Sequence, residues 1–264
     1  MEHKVIDSER GSVNYWVAGY SAEALVFTHG ATMDHGMFSS QVEFFSERYR
    51  TITWDVPGHG LSRPYRDFTL QNAAADLFSI LDQEGFQHAH LVGQSMGGYI
   101  VQVCAYAHPE RVATLTTIGS SPIAATYLTR MDRFLLSITP SILRMYPYNY
   151  LVTTIARQIS VTTAGKTYAL ETLRGLTKAE IAHIMQRVYE GIDGYTGDIP
   201  RQIPLLITYG DKDVTGKVAE YSRNWADKEN HELKVIPRAA HNANVDNPQF
   251  FNQALLEFLQ DERK

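Results

Sequence analysis

The sequence predicts a doubly wound, mostly parallel α/β sheet interrupted by one long helical insertion. Short apolar runs bounded by glycine alternate with helical segments, the sequence form of a sheet buried on both faces. Between Ser121 and about Thr196 that strand rhythm disappears, apolar residues recur at helical spacing, and the strands then resume. The 264 residues, 44% of them hydrophobic, suit one α/β domain with an insertion as well as two small domains. The pattern decides between them: a core of residues 1–120 and 197–264, with 121–196 as a helical cap inserted in it.

Val5 and Ile6 precede an Arg10-Gly11 turn, and Val13, Tyr15 and Val17 alternate with polar or small neighbours, which predicts a hairpin. Strands follow over Ala24–Thr28, Thr51–Trp54, Ala89–Val92 and Val112–Ile118, and later over Leu205–Tyr209 and Leu233–Ile236. The clearest helix follows Ser95, with Met96, Tyr99, Ile100, Val103, Cys104 and Ala107 on one face until His108-Pro109 stops it. Within the insertion, interruptions are expected at Pro140 and Pro147, and Thr177 to Glu180 reads as a capping box ahead of Ile181, Ile184, Met185, Val188 and Tyr189. Asn247-Pro248 starts a last helix expected to bury Phe250, Phe251, Ala254, Leu255, Phe258 and Leu259.

Gly93-Gln94-Ser95-Met96-Gly97 satisfies G-x-S-x-G at the junction of a predicted strand and a predicted helix. On so tight a turn the serine backbone is strained, and side chains two residues before and after it would collide. The turn places the Met96 N–H at a helix N-terminus, where an oxyanion gains a hydrogen bond and the helix dipole. A serine at its ordinary pKa is a poor nucleophile, so this chemistry needs a histidine base oriented by a carboxylate, in the chain order Ser, acid, His. Asp211 and Asp213 both follow the strand ending at Tyr209, and His241 follows the strand ending at Ile236. In a parallel sheet all these strand ends share one edge. The loop His29-Gly30-Ala31, after the strand ending at Thr28, supplies the second oxyanion donor through the Ala31 N–H.

Together these residues resemble the α/β-hydrolase superfamily and, within it, small bacterial esterase- and lactonase-like enzymes with a helical cap. The matching pieces are His29-Gly30, Asp55-Val56-Pro57-Gly58-His59-Gly60-Leu61-Ser62, Gly93 to Gly98, Gly210-Asp211-Lys212-Asp213 and His241. They stand in the family's order and span nearly the whole chain outside the cap. The resemblance implies a Ser95-Asp213-His241 triad, with the family's registry favouring Asp213 over Asp211. Ala240 departs from the glycine that often precedes the family's histidine, and a helix-like segment replaces the proline that often follows the acid loop. Serine at position 95 separates the chain from haloalkane dehalogenase and epoxide hydrolase relatives, whose nucleophile is aspartate.

The function expected is hydrolysis of a small-molecule carboxylic ester or lactone through an acyl-enzyme, with no cofactor. Enol-lactonase chemistry of the 3-oxoadipate type and carbon-carbon bond hydrolysis are alternatives on the same triad. A ligand receptor built on the fold, with little turnover, is an alternative of another class. In the cap, Tyr127, Met131, Phe134 and Tyr146 are candidates for an apolar substrate pocket, though aromatic and methionine positions at helical spacing also build cores. His29 and His59 read as loop-shaping residues and Cys104 as a packing residue.

A formal net charge of −5 with dispersed Lys and Arg gives no basic face for nucleic acid. No cluster of His, Asp and Glu has the spacing of a metal site. The N-terminal residues MEHKVIDSERGSVNYWVAGY lack the charged and apolar regions of a signal peptide, and no later run reaches membrane-spanning length. With one cysteine, these features lead to the expectation of a cytoplasmic protein without a membrane span.

Overall fold

The computed structural model describes residues 1–192 and 194–262. Eight strands form one sheet: β1 (Glu2–Ser8), β2 (Gly11–Ala18), β3 (Ala24–Thr28), β4 (Arg50–Trp54), β5 (Ala89–Gln94), β6 (Val112–Ile118), β7 (Leu205–Gly210) and β8 (Glu232–Ile236). Their order is β1-β2-β4-β3-β5-β6-β7-β8. The hairpin β1-β2 and the β2-β4 pair are antiparallel, and every pair from β4 to β8 is parallel. The chain reverses direction across the sheet between β3 and β5, so the loops after these neighbouring strands meet at a switch point. β3 is buried at all five residues, which is why it reads as a continuous apolar run rather than an alternating one.

Ten helices are described: α1 (Ser39–Phe45), α2 (Leu70–Gln83), α3 (Met96–Ala107), α4 (Arg130–Met145), α5 (Tyr148–Ile159), α6 (Thr163–Arg174), α7 (Lys178–Ile192), α8 (Val218–Glu229), α9 (Ala243–Asp246) and α10 (Pro248–Asp261). Helix α3 buries Ile100, Val101, Val103 and Cys104 against the sheet. Asn247 caps α10, whose buried face holds Phe251, Ala254, Leu255, Phe258 and Leu259. Phe250 differs from expectation: it stands 40% exposed, because its position in the first turn points away from that face.

Helices α4 to α7 lie between β6 and β7 in the chain, where the strand rhythm disappears. The break expected at Pro147 separates α4 from α5, and the Thr177–Glu180 capping box closes with the Glu180 N–H donating to Thr177 Oγ1 at 3.2 Å. The interruption expected at Pro140 does not occur, and α4 runs through it. Proline cannot donate to the carbonyl one turn back and crowds it. The proline leaves the Leu136 carbonyl without its helical donor, and the helix nevertheless continues to Met145 with Pro140 buried.

Two buried polar side chains stitch this segment to the sheet. Gln102 of α3 donates to the Ser121 carbonyl at 3.1 Å and accepts the Ile123 N–H at 2.8 Å, fixing the chain where it leaves β6. Asp246 accepts the N–H groups of Val161 and Thr162, the Thr162 hydroxyl and the Ala240 N–H, all at 2.8 to 3.0 Å. One carboxylate thus holds the α5–α6 connection against the loop before His241. Replacing Asp246 with Ala strands buried donors on both sides and is expected to cost about 3 kcal/mol. Urea unfolding measures it, and a loss under about 1 kcal/mol would show that the stitch contributes little.

Candidate active site

The junction of β5 and α3 forces Ser95 into φ 50°, ψ −114°, a conformation that a residue with a Cβ adopts only under constraint. The Ser95 N–H donates to the Ile118 carbonyl at 2.9 Å, and its carbonyl accepts the Tyr99 N–H at 3.2 Å, so strand and helix pin the turn from both sides. The flanking glycines permit this packing. A Cβ on Gly93 would lie 2.3 Å from the Gly97 carbonyl oxygen, one on Gly97 2.1 Å from that of Thr28, and one on Gly98 2.4 Å from the Ser120 side chain. Met96 is the first residue of α3, so its N–H belongs to the helix-end donors without an intrahelical acceptor.

The loop after β3 is set by a histidine that stays neutral. Burial pushes the pKa of His29 down to about 4. Its Nε2 accepts the Val56 N–H at 2.9 Å, which leaves Nδ1 to donate to the Gly30 carbonyl at 2.8 Å. The Gly30 carbonyl also accepts the Met33 N–H at 3.2 Å. Because the Gly30–Ala31 peptide is planar and trans, fixing that carbonyl fixes the Ala31 N–H in the opposite direction. The adjoining Gly58-His59-Gly60 turn is organised by Asp55, fully buried, which accepts from the Leu61 N–H at 2.6 Å and from both the backbone N–H and the Nδ1 of His35 at 2.8 Å. Burial raises the Asp55 carboxyl pKa, but the His35 hydrogen bond and the two backbone donors outweigh it and hold the group ionised, below the ordinary carboxylate range. His59 is likewise buried and neutral, pushed down to about 3, with Nδ1 donating to the Pro57 carbonyl at 3.2 Å.

Asp213 and His241 meet where the loops after β7 and β8 converge. His241 Nδ1 lies 2.8 Å from Asp213 Oδ2, and the two side chains are 8% and 1% exposed. Asp213 also accepts the Thr215 N–H at 2.8 Å. Burial pushes its carboxyl up, while the charge and hydrogen bond of His241, joined by Thr215, prevail and leave it below the ordinary carboxylate range. The competing carboxylate has other employment: Asp211 accepts the Ala239 N–H at 3.1 Å and sits 3.5 Å from Lys212 Nζ. Gly210 is tight against this loop, since a Cβ there would lie 2.2 Å from the carbonyl oxygens of Ala239 and Ala240.

Two residues that the sequence reading did not single out connect these pieces. Gln94, buried beside Ser95, donates from Nε2 to the His241 carbonyl at 3.0 Å. Its Oε1 packs against Gly30 so closely that a Cβ there would lie 1.9 Å away. One side chain therefore bridges the Ala31 loop and the His241 loop from the residue preceding Ser95. Gly119, directly after the strand that receives the Ser95 N–H, has φ +56°, and a Cβ there would lie 3.1 Å from His241 Nδ1 and 3.3 Å from Asp213 Oδ2. No sequence pattern marks Gln94, which occupies a free position of G-x-S-x-G; Gly119 carried the one available signal, a glycine at a strand end.

The four cap candidates are placed differently from this cluster. Tyr127 donates its hydroxyl to Glu229 of α8 at 3.1 Å and stacks under Lys228. Met131, Phe134 and Tyr146 are 63%, 57% and 43% exposed, which corrects the expectation that they line an apolar pocket: helical spacing put them on one face, and that face is turned to solvent. A cavity of about 300 Å³ instead lies between the Ala31 loop and α6, lined by Thr32, Met33, His59, Arg63, Tyr168 and Thr172. Among the described residues no group of three or more His, Cys, Asp or Glu is arranged to hold a metal ion, and no helix is long and apolar enough to cross a membrane.

The chain is 28% identical over 262 residues to the pimeloyl-[acyl-carrier protein] methyl ester esterase of Yersinia enterocolitica, covering 93% of this chain and 97% of that protein. It is 25% identical to 3-oxoadipate enol-lactonase 2 of Acinetobacter baylyi, covering 92% of this chain and 91% of that one. A hydrolase from Pseudomonas aeruginosa of known structure superposes with a TM-score of 0.80 at 20% identity, covering 97% of this chain and 98% of that one. The family model for the alpha/beta hydrolase fold matches residues 23–248. With its eight-stranded, mostly parallel sheet in the order described, the chain belongs to the alpha/beta hydrolase fold family.

Proposed function

We propose that the protein is a serine hydrolase acting on a carboxylic ester or lactone, with Ser95 as nucleophile, His241 as base and Asp213 as the carboxylate that orients it. The observation that carries this reading is the buried His241–Asp213 hydrogen bond of 2.8 Å at the sheet edge to which β5 delivers Ser95. Asp213 holds the proton of His241 on Nδ1, leaving Nε2 to take the proton of Ser95 Oγ as Oγ attacks the substrate carbonyl. The N–H groups of Ala31 and Met96 stabilise the tetrahedral oxyanion, each contributing on the order of 3 kcal/mol. His241 then gives its proton to the leaving oxygen, and water enters through the same base to release the acyl group. The relatives named as a methyl ester esterase and an enol-lactonase support a substrate in this class. The helices α4 to α7, as a cap over the sheet edge, would select among such substrates.

Sustained turnover of p-nitrophenyl acetate or of a lactone panel is expected, with kcat reduced by about 10⁵-fold or more in Ser95→Ala. Asp213→Asn should lose about 10⁴-fold in kcat, and Asp211→Asn should retain most activity. Full activity in Asp213→Asn beside an inactive Asp211→Asn would reverse the acid assignment. A single turnover without recycling would favour a receptor over an enzyme.

Acid should destabilise the fold through the neutral histidines beside the oxyanion loop. In the unfolded chain His29 and His59 take up protons near 6.5, but in the fold only at about 4 and about 3. Between these values the unfolded state binds more protons, so stability is present above about pH 6.5 and is lost as pH falls, levelling off only below the folded values. At pH 5 the loss is on the order of 2 kcal/mol per histidine. Urea midpoints at pH 7 and pH 5 measure it, and equal stability at the two would contradict the neutral assignment.

A further inference from the structure

We infer that the α5–α6 pair holds the reacting groups in register, with Asp246 and Tyr168 as positioning residues of the proposed hydrolysis; the inference rests on His241 as base and the Ala31 N–H as oxyanion donor. His241 stands on the loop after β8, and the backbone is fixed there at three consecutive residues. The His241 carbonyl accepts from Gln94 at 3.0 Å, within the elbow. The other two bonds lead out of the sheet: the Asn242 N–H donates to the Ile159 carbonyl at 2.7 Å, and the Ala240 N–H donates to Asp246 Oδ2 at 3.0 Å. That same oxygen accepts the Val161 N–H at 2.9 Å, and Oδ1 accepts the N–H and the hydroxyl of Thr162 at 3.0 and 2.8 Å. Both chain neighbours of His241 are therefore tied to residues 159–162, where α5 passes into α6. Gly165 admits the carboxylate to the first turn of α6, since a Cβ there would lie 3.0 Å from Asp246 Oδ1.

The same helix pair reaches the Ala31 loop. The Tyr168 hydroxyl of α6 donates to Asp34 Oδ1 at 2.9 Å and accepts the Asp34 N–H at 3.3 Å, three residues after Ala31. Met33 Sδ lies 3.6 Å from Thr172 Oγ1 of α6 and 3.9 Å from Asn242 Nδ2, so α6 and both loops meet at one buried side chain. Helices α4 and α7, which pack on each other, attach elsewhere. Arg187 of α7 donates to the Phe68 carbonyl ahead of α2 at 2.8 Å, and Asp132 of α4 pairs with Lys217 ahead of α8 at 3.1 Å. The insertion thus divides into a pair bonded to both loops of the site and a pair bonded beside it. Base and oxyanion donor must keep their spacing from the nucleophile closely, because a misplacement of about 1 Å costs on the order of 10²-fold in rate. Bonds to packed helices supply a rigidity that the loops alone lack. Loosening α5–α6 therefore slows the chemical step on even the smallest ester and leaves substrate affinity alone.

Steady-state hydrolysis of p-nitrophenyl acetate and the rate of Ser95 labelling by an alkyl fluorophosphonate, both per folded molecule, test the assignment. Asp246→Asn keeps the side-chain size but removes one acceptor oxygen, and Tyr168→Phe removes only the hydroxyl. Each should lower kcat at least about tenfold, leave KM within about twofold and slow labelling in parallel. Arg187→Ala, which frees α7 from Phe68, should keep kcat within about twofold. A purely structural contact would move the urea midpoint and leave the kcat of the folded protein unchanged. Should Asp246→Asn fail to fold, Tyr168→Phe decides alone, since its ring stays in place. Wild-type kcat in the folded variants, or a raised KM at unchanged kcat, would overturn this assignment alone, provided that turnover depends on Ser95. Turnover that Ser95→Ala does not abolish would overturn the nucleophile assignment and this inference with it.

Discussion

The close approach of α3 to β3 and β5 is the constraint on which the rest of the site depends. Gly97 brings the first helical turn against the Thr28 carbonyl, and Gly93 lets strand and helix fold back on each other. Any side chain at these positions would push the helix off the sheet and relax Ser95 out of its positive φ. The same approach puts Gln94 between two loops. Because the Gln94 side chain touches Gly30 and donates to the His241 carbonyl, the spacing of the elbow from the sheet also sets the spacing of the loops around it.

Around that elbow, neutral and ionised groups are separated by what they touch. His29 and His59 are buried and neutral, so their nitrogens serve as fixed donors and acceptors for backbone rather than as bases. Asp55 and Asp213 are also buried, yet each is ringed by donors that keep it ionised. In the proposed mechanism this division leaves His241, paired with Asp213, to act as base, and confines His29 and His59 to structure. The Asp246 stitch extends the arrangement outward, tying the loop before His241 to the connection between α5 and α6. Movement of the helical insertion and position of the His241 loop are therefore mechanically linked.

Much of the fold was legible because parallel sheets write themselves in continuous apolar runs, and the β3, β5 and β6 runs lie within a residue or two of their observed bounds. The elbow glycines were legible because backbone approach admits no other residue. What escaped is equally physical. Pro140 looked like a helix break, yet α4 continues through it to Met145 with the proline buried, because the loss of one backbone donor does not by itself end a long helix packed against its neighbours. The apolar period of α4 was visible, but periodicity gives a face without saying whether it turns inward, and here Met131 and Phe134 turn outward. Gln94 escaped because its role lies in two tertiary contacts from a position the motif leaves free.

Covalent trapping of the nucleophile tests the central claim most directly. Intact mass and peptide mapping after brief exposure to an alkyl fluorophosphonate should show one adduct, on Ser95, with the labelling rate falling by at least about 10³-fold in His241→Ala. An adduct on another residue, or labelling of Ser95 at an undiminished rate without His241, would contradict the account.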